Sequence, residues 1–176
     1  MPLDSLTGQK RGTALKEQVS IVLATVGVLL LVVAFFIPWA VLEVHVYLME
    51  IPQNMWSLYY SVVRLGPTDG VAYFLLDSAT LPLIILTIAS YTLSLSSGIV
   101  CLWERKIAYA SAGLVISSAF LWMIAFPEVK TATEAASKFI VLNLGPAPFV
   151  CLVAGIVLLL AAYTAASNLV SSSSSQ

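Results

Sequence analysis

The sequence predicts an all-α membrane bundle: four transmembrane helices with a small extracellular β-sheet from the first outer loop. Three observations predict it. Of 176 residues, 60% are hydrophobic and 10% charged, against about 45–50% and about 25% in a soluble domain. Four uncharged apolar runs each approach the roughly 20 residues that cover about 30 Å of hydrocarbon at 1.5 Å rise. Between the first two runs lies a long segment with strand-like alternation. The composition excludes a soluble globular domain and a disordered chain.

The runs are Val19 to Ile37, Leu81 to Trp103, Ile107 to Phe126 and Ala147 to Ala166. Lipid offers backbone groups no outside partner, and the runs are too long for barrel strands, so helices are expected. Lys10, Arg11 and Lys16 precede the first run, and Arg105 and Lys106 fill the short turn between the second and third. Five of the eight basic residues therefore share one side, which the positive-inside rule makes cytoplasmic. Both termini are expected there, in an integral protein of the plasma membrane. The division expected is a cytoplasmic segment 1–18, a transmembrane domain 19–166 with outer loops 39–80 and 127–146, and a flexible Ser-rich tail 167–176.

The first run is longer than the 7–15 residues of a typical signal h-region, and no A-x-A-like site follows it. A retained helix is expected, with Pro38-Trp39 closing it and the indole in the headgroup layer.

In the second run Ser90, Ser94 and Gly98 recur at four-residue spacing, a stripe where another helix can approach closely. Ala108 and Ala112 repeat the theme in the third run, and Ala154, Gly155, Ala161, Ala162 and Ala165 in the fourth. This stripe reads as packing within the bundle or as a polar path along the second helix. No ionisable residue lies at depth, so the usual marker of charge-coupled transport is lacking. Cys101 and Cys151 fall near opposite ends of helices running the same way, on the order of 20 Å apart, beyond the reach of a disulfide. Cys101 is then a buried thiol or a juxtamembrane palmitoylation acceptor.

In the outer loop Leu42, Val44, Val46 and Leu48 alternate with Glu43, His45 and Tyr47, which favours a half-buried strand over an amphipathic helix. Glu50 to Asn54 supplies breakers, and Met55 to Arg64 reads as a second strand. Gly66 to Gly70 is a turn cluster. Val71 to Leu76 is a third short strand or the approach to the second helix. Glu43 and His45 share one strand face, as a metal or proton-shuttling pair or as a solvated Glu beside a hydrogen-bonded His. No second histidine or nearby cysteine completes a ligand set.

Pro38-Trp39, then Trp56-Ser57-Leu58-Tyr59 seventeen residues on, then Arg64 form a pattern that resembles the claudin and peripheral-myelin-protein superfamily. In that family a proline and tryptophan end the first helix, a W-x-L-W element follows, and a basic residue often lies further along the loop. Tyr59 replaces the last aromatic, and the family's paired loop cysteines are absent. The resemblance implies a sheet-forming first outer loop and a junction-like role, with the tryptophans holding the sheet against the helix ends.

The function expected is that of a non-enzymatic structural, junction-like or accessory subunit working through helix-face and outer-loop contacts. Its partners are the lipid bilayer and other membrane proteins or a second copy. Trp39, Trp56, Tyr59, Tyr60 and Arg64 are the contact candidates, and internal packing of the loop is the alternative role for the aromatics. The alternative function is an oligomeric channel or transporter subunit, with outer Glu43, Glu50, Asp69 and Asp77 attracting cations. No cofactor is expected, because the lone His45 lies outside the runs and general acid–base or haem chemistry lacks its groups. A net charge of −1 argues against nucleic acid as a partner.

Overall fold

Each apolar run closes its backbone hydrogen bonds within a helix. The computed structural model describes residues 4–44, 49–57, 81–136 and 139–173. Its helices are α1 (Asp4–Phe36), α2 (Leu81–Cys101), α3 (Ala108–Ala136) and α4 (Ala147–Ser173). Its strands are β1 (Ala40–Val44), β2 (Met49–Gln53) and β3 (Ile140–Leu144). All four helices are long and apolar enough to cross a membrane.

The helices form a ring. α1 packs along α4, α4 along α3 and α3 along α2, and a shorter contact between α2 and α1 closes it. The helices are apolar on all sides, so hydrophobicity alone does not choose the inner face, which is rich in small residues. Ala24, Ala34, Ala108, Ala112, Ala119, Ala154, Ala161 and Ala162 are buried, while Val22, Leu29, Leu93, Phe120, Ile124 and Ile156 point outward. Small inner residues let backbones approach, which is how helices associate when their surroundings are as apolar as their side chains. At Gly155 an added Cβ would lie 2.4 Å from Ile116 Cγ1, and at Gly27 2.7 Å from Leu158 Cγ. The α1–α4 and α3–α4 contacts therefore depend on glycine at those points.

The sheet caps one end of the ring. Its order is β2-β1-β3, antiparallel throughout, with Leu42 opposite Ile51 on one side and Leu142 on the other. Ala40, Leu42 and Leu142 are buried, and Val41, Glu43 and Val141 on the other face are half-buried.

The structure corrects several expectations. The sheet is not built from the first loop alone, because β3 comes from the segment between α3 and α4. A strand forms at Met49–Gln53, where the sequence predicts breakers, and of the segment Met55 to Arg64 only residues 55–57 are described. Pro52 lies in that strand because an outer strand tolerates a residue without an N–H. Residues 55–57 are helical, and the Asn54 side chain accepts the Ser57 amide at 2.9 Å, a helix N-cap arrangement.

α3 does not stop before Pro127 but continues to Ala136. The buried stripe of Trp122 and Ala125 runs on through Val129 and Thr133, and β3 packs on α3. That packing outweighs the lost backbone hydrogen bond at an exposed proline. α4 also runs on into the serine segment, to Ser173, where extending a formed helix costs little compared with starting one. Val46, Leu48, His45, Tyr47 and everything from 58 to 80, including Val71 to Leu76, lie outside the described residues.

Candidate functional site

The sheet end gathers most of the large aromatic side chains of the core, and its geometry starts at Pro38. Proline ends α1 and turns the chain, so Trp39 enters the bundle instead of pointing outward. Trp39 is wholly buried. Its indole Nε1 donates to Ala34 O at 3.1 Å, fixing the ring against the end of α1. The ring meets Tyr91 of α2 edge-on at 5.5 Å and Trp122 of α3 edge-on at 6.1 Å. Phe35 stacks on Tyr91, and Phe126 leans on Trp122. Each such pair adds about 0.5–1.5 kcal/mol beyond its buried area.

The backbone of the same residue ties sheet to helices. Trp39 N donates to Gln53 O at 2.7 Å, and Trp39 O accepts the Gly145 amide at 3.0 Å. That carbonyl also accepts Trp122 Nε1 at 3.0 Å. Ala147 N, the first amide of α4, donates to Pro38 O at 3.2 Å; helix-opening amides need such outside acceptors. One dipeptide thus reaches α1, α2, α3, β2 and the entry to α4. The Tyr91 hydroxyl donates to Leu31 O, closing the α1–α2 side.

The sequence-derived candidates separate into groups. Trp39 lies inside, in the internal-packing role, and is neither at a headgroup surface nor accessible to a partner. Trp56 is 59% exposed on the helical turn after β2. Tyr59, Tyr60 and Arg64 lie outside the described residues. Ser94 and Gly98 are in the packed stripe, which runs Ile84, Thr87, Ile88, Tyr91, Ser94, Gly98 and Cys101; Ser90 is half-buried at its margin. Ser94 Oγ donates to Ser111 O at 2.9 Å while Ser111 Oγ donates to Ser94 O at 2.8 Å. These hydroxyls bind α2 to α3. They do not line a path.

Glu43 accepts Asn143 Nδ2 at 2.6 Å, and its proposed companion His45 is outside the described residues. Among the described residues no three His, Cys, Asp or Glu side chains gather as a metal site. Both cysteines are free and buried. Cys101, fully enclosed, does not offer the accessible thiol that palmitoylation needs.

Sequence reasoning missed Tyr91, Trp122 and Gly145. The only local signals were aromatics within apolar runs and a Gly-Pro pair before the last helix. No protein-family model, no curated protein and no solved structure matches the chain.

Proposed function

We propose that this chain is an integral membrane protein that serves as a structural, junction-like or accessory subunit, with its sheet end outside and both termini in the cytoplasm. The observation that carries the reading is the fixation of the sheet. Trp39 locks it to the helix ends, so the surface beyond it keeps one shape relative to the bundle. Trp56 and Phe139 are 59% and 61% exposed at that end, and aromatics are favoured at protein contacts. The ring interior is filled by Trp122, Tyr91, Leu31, Leu158 and Val115, all at 1% exposure or less. A conducting path, if the chain contributes to one, runs between copies and not through one.

Purification of the full chain from native membranes in mild detergent tests the proposal. A stoichiometric partner or a defined homo-oligomer is expected, with recovery reduced by W56A combined with F139A. A lone monomer in every mild detergent, with no cross-linked partner in intact membranes, overturns it. Release of the chain from membranes by alkaline extraction overturns the membrane reading itself.

A further inference from the structure

We propose that the turn between α2 and α3, together with the start of the apolar part of α1, binds the phosphate of an anionic lipid headgroup; this rests on the membrane reading above. The turn is short and fixed. Glu104 N and Trp103 N both donate to Val100 O at 3.0 Å, and Ile107 N donates to Glu104 O at 3.0 Å. Arg105 is committed to α1: Nη2 lies 3.7 Å from Glu17 Oε1, and Nη1 donates to Glu17 O at 3.3 Å. That double contact brings Lys16 of α1 and Lys106 of the turn to the same end of the bundle. Both lysines are exposed, and neither forms an ion pair with a described residue. Glu104 is the exposed acidic group beside them.

The setting is that of a bilayer interface. Leu102 and Trp103 are 41% and 79% exposed at the end of an apolar helix, and a free indole at such a boundary seeks the headgroup layer. Lysines there extend their stems over apolar surface and hold their ammonium groups at headgroup depth. Two unpaired ammonium groups against one carboxylate leave a positive site, and a lipid phosphodiester is the anion present at that depth. Basic side chains at a leaflet surface each favour anionic lipid by up to about fivefold. The sheet end differs: Lys130, its basic residue among those described, is already paired with Glu134 at 3.7 Å.

The test is electron paramagnetic resonance of the full chain in phosphatidylcholine vesicles containing trace spin-labelled phosphatidylglycerol or spin-labelled phosphatidylcholine. The protein-contacting fraction is expected to favour phosphatidylglycerol severalfold. K16Q combined with K106Q should bring that ratio close to one, and E104Q should raise it. Equal association of both lipids with the unmodified chain, or a preference unchanged in K16Q/K106Q, overturns the proposal. Exchange of chloride for inorganic phosphate at constant ionic strength should leave the preference in place; its loss would mean a free-anion site and overturn the headgroup assignment. Absence of any protein-contacting component with either lipid is a separate result, and it removes the membrane reading.

Discussion

Trp122 donates its indole N–H to the backbone carbonyl of Trp39 across 3.0 Å, although 83 positions separate them in the chain. The rings meet edge-on, so one pair supplies both a buried hydrogen bond and an aromatic contact between α3 and the start of the sheet. Replacing Trp122 by Phe keeps much of the ring and removes the donor. Trp39 O retains the Gly145 amide as a partner, so the cost should stay near the ordinary value of about 1 kcal/mol. Trp122→Ala removes both and should cost about 3–5 kcal/mol. Thermal unfolding of the purified chain in a fixed detergent should rank wild type, W122F and W122A in that order. Equal midpoints for W122F and W122A would mean that the ring contributes nothing beyond its N–H.

Gly145 and Gly113 should respond oppositely to alanine. A Cβ at Gly145 would lie 2.1 Å from Pro38 O and 2.8 Å from the Trp39 carbonyl carbon, both backbone atoms. It would push the α4 entry off Pro38-Trp39 and break the hydrogen bonds made there. Gly113 sits within α3 with nothing within 4 Å of an added Cβ. Alanine there should stabilise by about 0.5–1 kcal/mol through lower backbone entropy in the unfolded chain. The measurement is folded yield and unfolding midpoint: G145A should lower both, and G113A should hold or raise the midpoint.

How far the sequence could lead depended on the range of the interaction. The four runs were legible because a long uncharged apolar stretch marks a helix without reference to any neighbour. The alternation at Leu42 and Glu43 was legible because β1 has one face on the bundle. β3 escaped notice although Ile140-Val-Leu-Asn-Leu before Gly145-Pro146 is a fair strand signal. Its partner β1 lies about a hundred positions upstream, and Pro127 marked a helix end that the packing of Val129 and Thr133 overrides. The stripe on α2 was half right for a geometric reason. Four residues turn a helix by about 400°, so a strict four-residue repeat drifts about 40° at each step. Ser90 therefore falls to the margin of the contact face that holds Ser94 and Gly98, whereas alternating steps of four and three, through Thr87, Tyr91, Ser94, Gly98 and Cys101, stay on it.

The reciprocal hydroxyls of Ser94 and Ser111 should be energetically coupled. Each donates to the other's backbone carbonyl, and their Oγ atoms are 3.4 Å apart. Removing one hydroxyl leaves its acceptor carbonyl still bonded within its own helix. The coupling should therefore be modest, near the roughly 0.6 kcal/mol typical between membrane helices and below about 1.7 kcal/mol. A double-mutant cycle of S94A, S111A and the double variant, read by unfolding in mixed micelles, measures it. Strict additivity would show that the two hydroxyls act as separate bonds and not as one pair.

Across the sheet, Glu43 faces Glu50 directly in the β1–β2 register. Like charges opposite one another oppose strand pairing by about 0.2–1 kcal/mol. Asn143 relieves part of this, because its amide donates to Glu43 Oε1 at 2.6 Å from the β3 side. Glu50 is exposed, so its replacement disturbs little packing. Glu50→Gln should raise the unfolding midpoint by removing repulsion, and Glu50→Lys should raise it further by placing opposite charges in register. Added salt separates the causes: screening should shrink the advantage of lysine over glutamine. An advantage unchanged in high salt would assign it to the lysine stem packing on the sheet, and the charge argument would fail.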